Sequence, residues 1–388
     1  MKRRSAALRI VIAPDSFKES LSALRVALAI QRGMRRVLPT AAYTLIPMAD
    51  GGEGTTAALL SATGGSLHHR TVTGPRGKPV RAAFGMLGDR QTAVVEMAAA
   101  SGLPLIPPSA RNPLFTTSFG TGELLRHALQ KNPRRVIIGV GGSATVDGGA
   151  GMAQALGAAF FDRKGQRIME PLSGGDLHLI QRINLDNFIL QRPDLEVLIA
   201  CDVRNPLIGA RGAAAIFGPQ KGASLADVRV LERNLQRYGQ LLERTSGVKV
   251  LTRPGAGAGG GLAASLLALA HGTFKPGVAL VMAQVGLAAA LERADVVITG
   301  EGRIDRQTLY GKVLAGVGKL AQELGVPAIA IGGSLGPHAR VLLKHGFVGL
   351  ESAVVAPMAL PEALTNALTL VTDAAERVAC WLRFRLEQ

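Results

Sequence analysis

Asp295-Val-Val-Ile-Thr-Gly-Glu-Gly-Arg-Ile-Asp-Arg-Gln-Thr-Leu-Tyr-Gly-Lys312 combines an apolar run with a charged, glycine-rich turn. Its apolar, β-branched beginning, Asp295–Thr299, predicts a buried parallel strand that ends at Gly300. Charged side chains follow at once, at Glu301, Arg303, Asp305, Arg306 and Lys312. Proteins of the α/β class bind ligands at the carboxyl ends of such strands, so this turn is a candidate site. A solvated loop with Asp305 as a helix cap is the alternative.

The same arrangement recurs along the chain. Five apolar strands are each predicted to end in a loop with an acidic residue: Asp15, Asp50 with Glu53, Asp147, Asp202, and Glu301 with Asp305. Together they predict one cleft lined with carboxylates and backbone N–H groups. Oxygen ligands of this kind suit Mg²⁺, whereas histidines and cysteines are not clustered as a zinc site requires.

The order of the predicted elements indicates the α/β class. The first sixty residues read as strand, loop, helix, strand, loop, helix, which is typical of a doubly wound, mostly parallel sheet. Short strand-like runs at 65–74, 78–87 and 92–98 instead predict antiparallel hairpins. The tail then returns to the strand–loop–helix pattern. We therefore predict a discontinuous doubly wound domain, 1–75 and 285–388, with an inserted mixed α/β domain, 76–284, and an active site in the cleft between them.

Composition excludes several other classes of protein. The 388 residues are 47% hydrophobic and 19% charged, which favours folded domains over disorder. The net charge of +16 comes mostly from scattered arginines without a basic run or interleaved aromatics, so a diffuse field that attracts small anions is favoured over nucleic-acid binding. Two cysteines without a CxxC motif fit a reducing cytoplasm, and no apolar stretch reaches the roughly 20 residues of a membrane span.

Two glycine-rich loops, 139–151 and 255–261, are candidate phosphate cradles. Without Cβ atoms, their backbone N–H groups could converge on an anion, and close packing of helices is the alternative. Neither loop is a Walker A motif, and the GxGxxG spacing at Gly255 lacks the acidic residue of a dinucleotide site. Cations stand in or beside the predicted loops at Lys18, Arg204, Lys221, Arg303, Arg306 and Lys312. Phosphoryl transfer needs such cations and a carboxylate base, although each cation alone could be a solvated surface residue.

Six longer motifs make a family resemblance visible. They are Ala13-Pro-Asp-Ser-Phe-Lys-Glu-Ser20, Pro47-Met-Ala-Asp-Gly-Gly-Glu-Gly-Thr55, Gly142-Ser-Ala-Thr-Val-Asp-Gly-Gly-Ala-Gly-Met-Ala-Gln-Ala-Leu-Gly157, Cys201-Asp-Val-Arg-Asn-Pro206, Phe217-Gly-Pro-Gln-Lys-Gly222 and Gly300-Glu-Gly-Arg-Ile-Asp-Arg-Gln-Thr308. In this order and over nearly the whole chain, the sequence resembles the type I bacterial glycerate kinases. The resemblance implies ATP-dependent phosphorylation of glycerate with Mg²⁺, in a two-domain α/β fold whose first domain is discontinuous.

The expected site combines the residues and the resemblance. The expected catalytic residues are Asp202, Glu301, Asp305, Lys18 and Lys312, with Mg²⁺ held by Asp202 and Glu301. The expected substrate- and phosphate-binding residues are Asp15, Ser16, Asp50, Gly51, Gly52, Glu53, Ser143, Thr145, Asp147, Arg204, Lys221, Arg303, Gly257, Gly259 and Gly260. Which of the carboxylates is the general base stays open.

The expected partners are D-glycerate and ATP, with 2-phosphoglycerate favoured over 3-phosphoglycerate as the product and the cytoplasm as the location. Neither nucleic acid nor a membrane is expected to bind. A kinase for another small hydroxy acid and a non-catalytic sensor of phosphorylated metabolites are the alternatives. The set of acids argues against a sensor, because an anion-binding site gains nothing from burying carboxylates beside its ligand.

Overall fold

The computed structural model of the protein describes residues 7–52, 54–309 and 312–386. Glu53, one of the predicted phosphate-binding residues, lies outside them. Two compact units are present. The first comprises the described residues up to Asp50, the segment Ala57–Thr63, and the described residues from Val278 onward; the second comprises the described residues of 51–56 and Gly64–Gly277.

Thirteen strands are formed by the described residues. They are β1 (Arg9–Ile12), β2 (Ala42–Leu45), β3 (Ser66–Thr73), β4 (Pro79–Met86), β5 (Thr92–Glu96), β6 (Arg135–Gly139), β7 (Ala159–Phe161), β8 (Arg182–Asn184), β9 (Glu196–Ala200), β10 (Thr273–Lys275), β11 (Val296–Ile304), β12 (Ala328–Leu335) and β13 (Phe347–Ser352).

The same ranges hold thirteen α-helices, and none of the helices described is long and apolar enough to cross a membrane. They are α1 (Ala23–Val37), α2 (Thr55–Thr63), α3 (Ala98–Ser101), α4 (Phe119–Leu129), α5 (Ala150–Ala155), α6 (Ala213–Phe217), α7 (Leu225–Ser246), α8 (Leu262–Leu269), α9 (Gly277–Gln284), α10 (Leu287–Leu291), α11 (Val313–Glu323), α12 (Leu360–Thr365) and α13 (Ala367–Leu386).

The first unit is built on a parallel five-stranded sheet in the order β13-β12-β11-β1-β2. Alternate residues of its strands point to opposite faces. Ile10 and Ile298 pack in the core formed with α1 and α13. Val11 and Val297 are buried on the other face, where α11 contacts β11 and β12. A parallel sheet covered on both faces confirms the predicted doubly wound α/β class.

The order of the strands creates a topological switch point between β1 and β11. From β1 the chain adds β2 on one side, whereas β11, β12 and β13 follow one another outward on the other side. Strand β11 is longer than the sequence predicts, because it does not end at Gly300 but stays paired with β12 as far as Ile304 opposite Leu335. Glu301 is therefore a strand residue held by backbone pairing and not part of a loose turn.

The second unit contains a six-stranded mixed sheet in the order β10-β9-β6-β5-β4-β3. The predicted hairpins are present, since β3 pairs antiparallel with β4 and β4 antiparallel with β5. The remaining pairs of this sheet are parallel. Because β3 belongs to this sheet, the first unit ends earlier than the predicted boundary at residue 75, and it resumes at Val278 and not at 285.

Helices α1 and α13 cover one face of the first sheet and approach each other closely. Ser22 caps α1 by accepting a hydrogen bond from the backbone N–H of Arg25. A Cβ atom added at Gly33 would lie 1.9 Å from the carbonyl oxygen of Thr372 in α13. Glycine is thus required at Gly33 by the distance between the two helices.

The first testable consequence concerns Gly33→Ala. Alanine is about 1 kcal/mol better than glycine inside a helix, but the added methyl group must displace backbone, and overpacking of this kind costs about 1–3 kcal/mol. We expect a net loss of stability in the first unit. It can be measured by urea unfolding followed through the fluorescence of Trp381, the single tryptophan, which lies in α13. Arg32→Ala, at an exposed position of α1, is the control and should change little. An unfolding midpoint raised by Gly33→Ala would contradict the packing argument.

Candidate active site

Backbone pairing at the switch point brings acidic side chains to one edge of the first sheet. Beyond β1, the N–H of Ala13 donates to the carbonyl of Ile298 at 2.8 Å, and the N–H of Asp15 donates to the carbonyl of Gly300 at 2.9 Å. The backbone of Asp15 is therefore hydrogen-bonded to Gly300, the residue that precedes Glu301 on β11. A crevice at a switch point is where open α/β sheets bind their ligands.

The carboxylate of Asp15 is held in an environment that disfavours its charge. Asp15 is 9% exposed and Glu301 is 6% exposed. Burial, followed by the negative charge of Asp50 and further by that of Glu301, raises the pKa of Asp15 to about 7. The N–H of Ser16, 2.7 Å from Asp15 Oδ1, and the charge of Lys18 act in the opposite direction but do not outweigh burial and the neighbouring carboxylates.

Glu301 has partners of its own. Its carboxylate accepts hydrogen bonds from the hydroxyl of Thr308 and, at 3.4 Å, from Lys312 Nζ. Burial still raises the pKa of Glu301, although Thr308 and Lys312 favour the charged form. Thr308 belongs to a 3-10 helix, Arg306–Leu309, and its hydroxyl also accepts from the N–H of Asp305 at 3.1 Å. Thr308 was not among the site residues predicted from the sequence, and its three-residue spacing from Asp305 was the signal available.

A cavity of about 530 Å³ opens beside these groups within the first unit. One part of its lining is polar, and it brings together seven residues predicted from the sequence: Asp15, Ser16, Lys18, Asp50, Glu301, Arg303 and Lys312. Asp305 is not in the lining, and its carboxylate lies 3.4 Å from Arg303 Nε. Both charge signs thus surround a space that a small molecule can enter.

In the second unit, Lys221 is buried and joins two of the predicted motifs. It is 3% exposed, and its Nζ donates to Ser143 Oγ and to the carbonyl of Thr145, each at 2.7 Å. Burial lowers the pKa of Lys221 to about 7, while the charge of Asp147 acts in the opposite direction. Lys221 therefore holds the Ser143–Thr145 segment in place, and the predicted residues Ser143, Thr145 and Lys221 do come together.

Asp147 has a different environment from Asp15. It is fully buried, and its carboxylate accepts hydrogen bonds from the N–H of Ser118 at 2.8 Å, from Ser118 Oγ at 2.6 Å and from the N–H of Gly149 at 3.1 Å. Ser118 Oγ in turn accepts from the N–H of Met152 at 2.9 Å. Burial raises the pKa of Asp147 despite these donors. Its carboxylate orders the glycine loop, and its direct contact with a ligand stays a prediction.

The second glycine-rich loop, 255–261, is closely packed, as the alternative interpretation of its glycines predicts, and does not form an open phosphate-binding loop. Gly257, Gly259 and Gly260 are all buried. An added Cβ would lie 2.2 Å from the carbonyl oxygen of Pro206 at Gly257 and 1.8 Å from that of Thr145 at Gly260. Gly259 and Gly260 also adopt positive φ angles of 64° and 68°. Glycine is required here because the loop touches neighbouring backbone, which the GxGxxG spacing alone could not reveal.

The remaining predicted residues belong to the second unit. Asp202 is exposed and its Oδ1 accepts a hydrogen bond from the N–H of Gly277 at 3.1 Å, and Arg204 is exposed. Gly51 is buried and Gly52 half-buried. Because Asp202 and Glu301 lie in different units, a magnesium ion shared by them stays a prediction, as does a site in a cleft between domains.

The residues that line the cavity can nevertheless be compared with the ligands that a metal ion requires. In the described ranges, no three His, Cys, Asp or Glu side chains form a ready-made metal cluster. Magnesium, however, is usually bound by one or two carboxylates together with substrate phosphates. Asp50 and Glu301 line the cavity beside Asp15, whose pKa is raised first by burial and then by the negative charges of these two residues. This donor set fits Mg²⁺ brought in with a phosphate ligand.

The pKa of Asp15 leads to a second expectation, for Asp15→Asn. Between about pH 4, where the unfolded residue titrates, and about pH 7, the folded chain holds a proton that the unfolded chain has lost. The stability of the first unit therefore falls as the pH rises through this window and stays reduced above it. Asparagine cannot ionise, so the variant should be more stable than the wild type at pH 8, by an amount on the order of 1–4 kcal/mol, with no gain near pH 4.

Urea unfolding at both pH values, followed through Trp381, measures this difference. Asp295→Asn is the matched control, because the hydrogen bond from Arg9 lowers the pKa of Asp295 and its replacement should reduce stability at pH 8. Equal stability of wild type and Asp15→Asn at pH 8 would show that the ionised carboxylate of Asp15 does not destabilise the folded state.

Comparison with known proteins agrees with the resemblance in the sequence. The glycerate kinase family matches residues 10–383. Glycerate kinase of Halalkalibacterium halodurans is 47% identical over 370 residues, which cover 95% of this chain and 97% of that protein. Glycerate 2-kinase of Escherichia coli K12 is 45% identical over 375 residues, which cover 97% of this chain and 98% of that one.

A solved structure supports the same relationship. The crystal structure of a protein from Salmonella typhimurium LT2, provisionally named glycerate kinase 2, matches with a TM-score of 0.89 and 46% identity, covering 99% of this chain and 100% of that one. The match to the family extends over nearly the whole chain, and the curated relatives are of high identity. The chain therefore belongs to the glycerate kinase family and is a kinase that transfers a phosphoryl group to an alcohol acceptor.

Proposed function

We propose that the protein phosphorylates D-glycerate at its 2-hydroxyl group with ATP, forming 2-phosphoglycerate and ADP. The observation that carries the proposal is the carboxylate of Asp15 with a pKa of about 7, beside Glu301 and three cations in one cavity. The relatives named glycerate kinase and glycerate 2-kinase support the substrate and the position of transfer.

Asp15 is the proposed general base. A base works best when its pKa lies near the working pH, and the pKa of Asp15 is about 7. The 2-hydroxyl oxygen forms a bond to the γ-phosphorus as its proton moves to Asp15, and the bond between the γ-phosphorus and the bridging oxygen breaks to release ADP. The proton is then lost to water, which returns the carboxylate.

The cations of the cavity are proposed to bind the phosphates. Lys18, Arg303 and Lys312 line the same space as Asp15. Phosphoryl transfer spreads negative charge over the transferred group, and fixed positive charges stabilise it. Lys312 is positioned by its 3.4 Å contact with Glu301, which keeps its ammonium group at the edge of the sheet.

Magnesium is the proposed metal. Glu301 and Asp50 would hold it, whereas Asp202, which the sequence also predicts as a ligand, belongs to the second unit. When bound, Mg²⁺ would neutralise charge on the β- and γ-phosphates of ATP. Thr308, through its hydrogen bond to Glu301, would orient the ligand carboxylate, as partners of metal ligands commonly do.

The position of transfer can be assayed directly. D-glycerate, ATP and Mg²⁺ are supplied with enolase but without phosphoglycerate mutase, and phosphoenolpyruvate is followed by its ultraviolet absorbance. Signal is expected, because enolase accepts 2-phosphoglycerate and not 3-phosphoglycerate. Signal only after mutase is added would indicate the 3-hydroxyl. If no ADP forms in either assay, glycerate is not the acceptor, and other small hydroxy acids would then be tested.

The role of Asp15 predicts a pH dependence. The base must be deprotonated, so kcat/KM should fall as the pH drops below about 7. Asp15→Asn should lower kcat by about 10²–10⁴-fold and abolish this acid limb. Steady-state kinetics from pH 5 to 9 measure both effects, and Glu292→Gln, at an exposed position of the first unit, should match the wild type. An acid limb that persists in Asp15→Asn would assign the base to another group, with Glu301 the next to replace.

A further inference from the structure

The cavity of the first unit has a second wall that the proposed phosphate chemistry does not use. Besides the charged residues it is lined by apolar side chains, and four of them, Met358, Leu360, Leu364 and Leu370, come from one segment near the end of the chain. Leu360 is 68% exposed, and Met358, Leu364 and Leu370 are half-buried. Leucine and methionine side chains left partly open to water around a concave space are typical of a site for an apolar part of a ligand.

The wall is fixed to the sheet that carries the charged residues. After β13, the N–H of Ala353 donates to the carbonyl of Gly332 at 2.8 Å, and that of Val354 donates to the carbonyl of Gly333 at 3.2 Å. The chain then enters α12, where Leu360 and Leu364 lie one turn apart on the same face. The charged and the apolar lining residues therefore belong to one unit.

Glycerate does not match this wall. It is a three-carbon acid whose carboxylate and hydroxyl groups all require polar partners, and burying them against leucine would be unfavourable. A nucleoside does match, because the flat faces of a purine are apolar and gain free energy when they leave water. At about 530 Å³, the cavity also falls in the usual range of small-molecule sites, roughly 300–1,000 Å³.

We propose that Met358, Leu360, Leu364 and Leu370 form the nucleoside subsite for ATP. The adenine and ribose lie against α12 and the start of α13, and the triphosphate extends toward Lys18, Arg303 and Lys312. The inference rests on the proposed function, since it assigns the nucleotide of that reaction to this cavity. It also places the γ-phosphate at the carboxyl edge of the sheet, next to Asp15.

Two variants test the subsite from opposite directions. Leu364→Ala removes apolar surface from the wall, and Ala363→Phe adds bulk to a residue that lines the same cavity. We expect each to raise the KM for ATP and the dissociation constant of ADP about tenfold, with the KM for glycerate changed by less than about twofold. Leu368→Ala is the matched control, because Leu368 is exposed in α13 and is not part of the lining.

ADP binding is measured by calorimetry, so the inference does not depend on turnover. If the wild type fails to phosphorylate glycerate, the proposed function fails, and the ADP constants of the variants still decide the subsite. A rise in the KM for glycerate with unchanged ADP binding would assign the wall to the acceptor acid and overturn the proposal. Unchanged ADP binding and kinetics in both variants would overturn it as well.

Discussion

The candidate active-site cavity depends on the parallel pairing of β1 with β11. This pairing continues past β1, where the N–H of Asp15 donates to the carbonyl of Gly300 at 2.9 Å. Each strand brings one acidic residue to its carboxyl end, so the backbone hydrogen bonds that stabilise the sheet also bring two carboxylates together. Burial at this edge, followed by the negative charge of Asp50 and further by that of Glu301, raises the pKa of Asp15.

The sequence predicted the elements that depend on local pattern. The buried strands β1, β6 and β9 and the first helix, α1, are present as expected, because strand and helix periodicity is a local property. The extension of β11 to Ile304 was missed. Its glycines and charges read as a turn, and only the neighbouring strand β12, which pairs with it residue by residue, makes them a strand. The predicted boundaries of the two units differ from those in the structure for a similar reason, since pairing with β4 assigns β3 to the second unit.

The site was predicted in part, and the reason can be seen by comparing Asp15 with Asp147. Both follow a buried strand, and the sequence assigns both to ligand binding. In the structure, Asp147 meets hydrogen-bond donors from Ser118 and Gly149, whereas Asp15 faces a cavity shared with Asp50 and Glu301. The partners come from distant parts of the chain, so local sequence cannot distinguish a carboxylate that orders a loop from one that is free to act on a ligand.

This comparison also indicates why the acidic edge exists. A buried carboxylate retained for stability is normally surrounded by donors, as Asp147 is, because unpaired charge in a protein interior is costly. Asp15 accepts a hydrogen bond from the N–H of Ser16, but burial and the negative charges of Asp50 and Glu301 raise its pKa. The fold holds this arrangement by backbone pairing, which brings the side chains of Asp15 and Glu301 to one edge of the sheet. An unfavourable charge cluster fixed by a stable sheet is best explained by chemistry at that edge, where a cation or a transferable proton restores the balance.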